Sequence, residues 1–135
     1  MLKVLPVQSK QEQEALCKKC NITYRPELLM YAASYEGELV GVCQFITSDK
    51  GGLIYDIAKV ADRVREDGSH TATDFEALFV MGRGALNFID LCGVHFASYV
   101  GSHKDDPLLR AIGFKKNDEG EYTVDLNGFF TDHCH

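Results

Sequence analysis

The sequence predicts an α/β (α+β) fold: a mixed, mostly antiparallel twisted sheet with helices on both faces. Three observations carry this expectation. Three β-rich runs between Leu28 and Val60 are separated only by turn signals, which makes an antiparallel meander. A long amphipathic stretch then lies between two further strand-like runs. A strand–helix–strand unit within one sheet implies a parallel pair with a right-handed crossover. Finally, 135 residues at 45% hydrophobic and 25% charged form an ordinary globular composition. That length sits within the usual size of one domain, so one domain over 1–135 is expected, with 127–135 as a tail.

The elements follow in order. Leu2–Val7 reads as a short strand. Ser9-x-x-Glu12 is a capping box that opens a helix through Glu14, Ala15, Leu16 and Lys19, with Asn21 as its stop. Leu28–Tyr35 and Leu39–Thr47 are strands joined by the hairpin signal Glu36-Gly37-Glu38. Ser48–Gly52 is a second turn, and Leu53–Val60 a third strand. After the polar loop Ala61–Thr73, Thr73-x-x-Glu76 is a second capping box. Phe75, Leu78, Phe79, Gly82, Leu86 and Ile89 recur at intervals of three and four, one apolar stripe that Gly93 closes. Gly82-Arg83-Gly84 falls inside that stripe and reads as helix interior. Val94–Val100 is a strand, Pro107 opens a short helix that Gly113 ends, and Glu121–Leu126 is the last strand. The predicted order is β-α-β-β-β-α-β-α-β.

Charge and cysteine use exclude several classes. Fourteen Lys and Arg against 20 Asp and Glu leave a formal charge of −6, so a nucleic-acid partner is not expected. No apolar run is long enough for a membrane span, and MLKVLPVQSKQEQ lacks the apolar core of a secretory signal. Five cysteines, an odd count without a secretion signal, point to reduced thiols and a cytoplasmic location. Cys17-x-x-Cys20 and Asp132-His133-Cys134-His135 contain zinc-ligand types. The first pair lies on a helix without a knuckle turn or a second Cys-x-x-Cys, so no metal site is expected.

Two groups stand out as candidate bases. Asp56, between Tyr55 and Ile57 in an apolar strand, would have a raised pKa if buried. His95 titrates near neutrality unperturbed.

The element order and two local segments resemble the GCN5-related N-acetyltransferase superfamily. Glu38-Leu39-Val40-Gly41-Val42-Cys43 looks like its second-to-third-strand hairpin. Leu108-Leu109-Arg110-Ala111-Ile112-Gly113-Phe114 looks like its Gly-Phe segment after the fifth strand, and Tyr122–Leu126 sits where its closing strand sits. The resemblance covers nearly the whole chain. It implies acetyl-CoA as co-substrate and acyl transfer to a small-molecule amine or amino group. The pantetheine arm would lie between Leu53–Val60 and Val94–Val100, against Ile57, Ala58, Lys59 and Val60. The family's phosphate loop, counted from Val60, falls on Arg65-Glu66-Asp67-Gly68-Ser69-His70. Arg65, Gly68, Ser69 and His70 are thereby implied in coenzyme binding, and Ser102 occupies the place of a common Asn. Counted back from Gly93, the glycine positions fall instead near Glu76 and Leu78.

The sequence departs from the family at two places. The position of the family's acid tyrosine is Leu109, which leaves Tyr99, His103 and Tyr122 as candidate acids, Tyr99 foremost. Asp74 and Glu76 would place negative charge at a helix start meant for a diphosphate. The competing reading is therefore a catalytically degenerate ligand-binding or protein-interaction module of the same fold. Dimers are common in the family, and the last strand and tail offer a pairing edge for a homodimer.

Overall fold

The computed structural model describes residues 1–130. The elements in chain order are β1 (Leu2–Pro6), α1 (Lys10–Lys19), β2 (Leu29–Tyr35), β3 (Glu38–Ser48), β4 (Gly51–Lys59), α2 (Ala72–Leu91), β5 (Phe96–Tyr99), α3 (Asp106–Ile112), β6 (Lys115–Lys116) and β7 (Tyr122–Asp125). The seven strands form one sheet in the order β1-β2-β3-β4-β5-β7-β6. β4 and β5 are parallel and every other pair is antiparallel. The expected mixed sheet is therefore the observed one, with two-residue β6 added where only a turn was expected.

The local chemistry behaves as the sequence suggests at most element ends. Ser9 Oγ accepts the Glu12 N–H at 3.2 Å and caps α1. The β2–β3 turn places Glu36 and Gly37 at φ 51° and 82°, a left-handed pair that twists with the strands. The start of α2 differs from expectation. Its cap is Thr71, whose Oγ1 accepts the Asp74 N–H at 3.0 Å, not Thr73. Thr71-x-x-Asp74 has the same capping chemistry two residues earlier, and the earlier start wins because it turns Asp74 inward to two cations described below.

Helices cover both faces. On one, Cys17 of α1 and Cys20 at its C-terminal cap pack with Val7, Met30, Val42 and Val60. On the other, Leu78, Met81, Ala85, Leu86 and Ile89 of α2 and Leu108, Leu109 and Ile112 of α3 pack over Ala33, Cys43, Phe45, Ile54 and Ile57. Gly82 lets α3 approach α2, since a Cβ there would stand 2.5 Å from Ile112 Cδ1. Gly82-Arg83-Gly84 is helix interior. Residues Asp132–His135 of the tail, and with them Cys134, lie outside the described residues.

Candidate functional site

β4 and β5 part company after a short seam. They pair only over Gly52–Ile54 and Ala97–Tyr99, closed by the Val100 N–H on the Ile54 carbonyl at 2.8 Å. β4 runs on to Lys59 with β3 as its only partner. The register explains the divergence: Gln44 faces Asp56 while Phe45 faces Ile54, so Tyr55 is an extra residue on β4. Such a bulge bends its strand and steepens the twist.

A cavity of about 370 Å³ fills the opening. Asp56, Ile57, Ala58, Lys59, Arg65, Gly68, Ser69, His70, Tyr99 and Ser102 all line it, together with His103, Asp105 and Leu78. Two expected residues lie elsewhere. Val60 spends its N–H on the Val40 carbonyl at 2.9 Å and packs under α1. His95 sits at the other end of β5, where its exposed ring meets Asp90 at 2.6 Å. It is too remote from the cavity lining to act there as a base. Tyr122 is also spoken for, donating to Asp106 Oδ1 at 2.6 Å.

One end of the cavity is bordered by the loop Arg65–His70, whose Arg65 and Glu66 both line it. Arg65–Gly68 is a tight turn, with the Gly68 N–H on the Arg65 carbonyl at 3.0 Å and Gly68 at φ 77°. Ser69 N–H and Oγ both donate to Asp67 Oδ1, at 3.0 and 2.7 Å. The Arg65 guanidinium reaches Ser69 Oγ at 3.4 Å, and Lys59 Nζ reaches the Ser69 carbonyl at 3.5 Å. With Thr71 capping Asp74, the Ala72 and Thr73 N–H groups are the remaining donors of the first turn. The cavity borders the loop Arg65–His70, whereas Glu76 lies within α2 and does not line it.

Asp74 does not present bare charge to this end. Its carboxylate is buried, 2.7 Å from Arg63 Nη1 and 3.8 Å from Lys59 Nζ. Arg63 is also 3.6 Å from Glu38. Burial pushes the Lys59 ammonium below its usual pKa, and Asp74 pulls it back up. The expected repulsion is thus met by two cations, one from β4 and one from the turn of 3-10 helix Ala61–Arg63.

Two of the candidate reactive groups, Asp56 and Tyr99, sit at the fork. Asp56 Oδ2 accepts from Gln44 Nε2 at 3.0 Å. Gln44 is buried, and it also donates to the Thr23 carbonyl at 2.9 Å while its Oε1 accepts the Arg25 N–H at 3.3 Å. Burial raises the Asp56 pKa above the ordinary carboxylate value, against the lowering effects of Gln44 and Arg25. Tyr99 donates its hydroxyl to the His103 carbonyl at 2.6 Å. Burial, then the nearby Asp56, pushes its pKa well up, while the Ile57 backbone N–H acts on the same oxygen in the opposite sense. Gly101 makes room for this arrangement, since a Cβ there would stand 2.3 Å from the Tyr55 carbonyl and 2.4 Å from the Tyr99 hydroxyl. His70 Nε2 meets Asp105 Oδ2 at 2.6 Å and links the loop before α2 to the N-cap of α3.

A second hollow of about 220 Å³ opens on the far side of Asp56, lined by Asn21, Ile22, Thr23, Arg25, Tyr55, Val100, Gly101 and Ser102. Asn21, Ile22, Asp56 and Ser102 border both hollows. Sequence reasoning missed Arg25, Gln44 and Asp105, and it named His103 as a candidate acid, whereas His103 lends Tyr99 its backbone carbonyl. Gln44, a polar residue inside the apolar run Leu39–Thr47, carried the one readable signal.

Three solved structures share this architecture over 93% of the chain. One is the ribosomal-protein-S18-alanine N-acetyltransferase of Escherichia coli (8% identity, TM-score 0.58, 94% of that chain). Another is a Bacillus subtilis acetyltransferase in complex with CoA (14%, 0.63, 99%). The third is the E. coli protein YhhK bound to coenzyme A (16%, 0.53, 98%). The chain has the GCN5-related N-acetyltransferase fold. No protein-family model and no curated protein matches the sequence. Relative to the predicted order, the described residues add β6 and the 3-10 turn Ala61–Arg63. Among the described residues no helix is long and apolar enough to cross a membrane, and no group of three or more His, Cys, Asp or Glu could hold a metal.

Proposed function

We propose that the protein is an N-acetyltransferase that moves an acetyl group from acetyl-CoA to a small amine. The observation that carries this reading is the position of Asp56, a half-buried carboxylate that lines two hollows at the fork of β4 and β5. The residues present fit the coenzyme. The larger cavity follows the free edge of β4, where backbone groups of Ile57–Lys59 lack a β5 partner. Its loop end offers Arg65 and Ser69, beside the carboxylate of Glu66. Gly68 leaves that loop open, with nothing within 4 Å of where a Cβ would be.

Acetyl-CoA supplies an acyl carbon activated as a thioester. Asp56 takes the proton that the amine nitrogen sheds as its bond to that carbon forms. The carbon–sulfur bond breaks in the same transfer, and Tyr99, held as a phenol by burial, gives the departing sulfur its proton. Solvent exchange returns one proton from Asp56 and one to Tyr99, so both groups are reset. A backbone N–H on the free edge of β4 near Ile57 is the donor that would polarise the acyl oxygen. The same reading takes the chain as one domain in the cytoplasm.

One observation favours a second reading, a binding module without catalysis. The Tyr99 hydroxyl is already satisfied by His103, and His70–Asp105 ties the cavity's two rims together. Calorimetry and thermal shift with acetyl-CoA, followed by thiol release with amines, separate the two. A ligand at 100 times its Kd stabilises the fold by about 2.7 kcal/mol. Stabilisation with turnover supports the enzyme, and stabilisation without turnover on any amine supports the module. No shift at millimolar acetyl-CoA overturns the acetyltransferase reading.

A further inference from the structure

We infer that the amine acceptor carries a carboxylate, held by Arg25 in the smaller hollow while its amine faces Asp56: a free amino acid rather than a simple amine or a peptide terminus. The inference deepens the acetyltransferase reading above and rests on it.

Arg25 differs from Arg63, Arg83 and Arg110, while Arg65, which like Arg25 forms no ion pair, reaches Ser69 Oγ at 3.4 Å in the other hollow. Arg63 and Arg110 are paired to carboxylates, and Arg83 is spent on the carbonyls of α3. Arg25 forms no ion pair among the described residues. Its guanidinium carbon instead lies 5.0 Å from the centroid of the Tyr55 ring, over the residue that bulges from β4. Stacking on an aromatic face holds the planar group and leaves its edge donors available. A guanidinium edge matches a carboxylate with two parallel hydrogen bonds.

The spacing between this cation and the base is fixed by one buried side chain. Gln44 holds Asp56 with its Nε2 and takes the Arg25 N–H on its Oε1, and it also binds the Thr23 carbonyl. The loop that carries Arg25 and the strand that carries Asp56 are therefore positioned by the same amide. A ligand with a cationic end and an anionic end finds both complements in one small space. The hollow, about 220 Å³, is below the roughly 300–1,000 Å³ that encloses a drug-sized molecule. It suits a compound the size of an amino acid. A peptide amino terminus has an amide where the free acid has its carboxylate, and so leaves Arg25 without a partner.

The test uses the full chain with acetyl-CoA and follows thiol release, with product mass confirmed. The acceptors are the twenty common amino acids, β-alanine and 4-aminobutyrate, each beside its carboxamide, plus spermidine and a dipeptide as amines of other classes. The expected result is at least one free acid used about tenfold or more better in kcat/KM than its carboxamide, because a site built for a polar group rejects the analogue that lacks it. Arg25→Gln should raise KM for that acid by a similar factor and leave KM for its carboxamide and the thermal shift with acetyl-CoA unchanged. Arg25→Lys should restore part of the loss. Acetylation of carboxamides, spermidine or the dipeptide as efficiently as any free acid overturns the inference and leaves the acetyltransferase reading standing. So does an Arg25→Gln effect equal on all acceptors. Absence of any effect of acetyl-CoA on wild-type stability overturns both.

Discussion

Arg63 Nη1 lies 2.7 Å from Asp74 Oδ1, and this contact joins the 3-10 turn after β4 to the first turn of α2. Asp74 is thereby the counter-ion of two cations, Arg63 and buried Lys59, at the place where the fold is expected to receive phosphate.

Asp74→Ala should therefore destabilise the protein. It leaves the Lys59 ammonium, 4% exposed, without its anion. Breaking a buried pair from one side costs about 3–5 kcal/mol. Urea unfolding measures it, and the double variant Lys59→Met/Asp74→Leu should recover much of the loss. A cost below about 1 kcal/mol for Asp74→Ala would show that Arg63 and Lys59 relax to solvent.

Asp56 gives a pH dependence with a definite sign. Its pKa is raised in the folded state by burial, so the folded chain holds this proton more tightly than the unfolded chain. Stability then falls as pH rises from the unfolded value, about 3.9, through the folded one. Asp56→Asn should leave neutral-pH stability unchanged or increased, because its amide oxygen still accepts from Gln44. The same substitution should lower kcat by about 10²–10⁴ and remove the acidic limb of the kcat/KM profile. That limb should lie above the ordinary carboxylate range in the wild type.

Arg65→Ala should weaken acetyl-CoA binding with little change in kcat. The side chain touches the cavity and Ser69 but none of the groups at the fork. Loss of one charged contact corresponds to about 1.5–3 kcal/mol, or roughly ten- to a hundred-fold in Kd by calorimetry. Glu76→Gln, on α2 away from that cavity, should leave Kd unchanged, and the opposite pattern would move the phosphate site along the helix.

Among the described residues, the cysteines should be chemically quiet with one exception. Burial pushes Cys17 to about 11 and Cys20 to about 12, and it raises Cys43 as well. Their thiolates are scarce at neutral pH, and the thiolate is the reactive form. Iodoacetamide at pH 7.5 should alkylate exposed Cys92 and spare those three until the chain is unfolded, as read by peptide mass spectrometry.

How much of this was legible depended on how local the cause is. Ser9, Gly37, Gly93 and Gly113 act through their own backbone or the next turn, so the meander, the crossover and the element order could be read directly. β6 escaped because two residues carry no period. The start of α2 was misplaced because Thr71 and Thr73 offer the same chemistry, and the choice is made by Arg63 and Lys59 across the loop. Asp56 and Tyr99 could be singled out from their strands. Arg25 could not, since its importance lies in Tyr55 and Gln44, 30 and 19 residues away in sequence.

The seam between β4 and β5 has a mechanical consequence. Three paired positions, Gly52–Ala97 to Ile54–Tyr99, are all that rivets the leaf β1–β4 to the leaf β5–β7–β6 within the sheet. A ligand lying along the free edge of β4 would extend that row of rivets. It would act as a splint, so amide exchange at Ile57 and Lys59 should slow when the groove is filled, and the two leaves should then come apart together rather than one before the other.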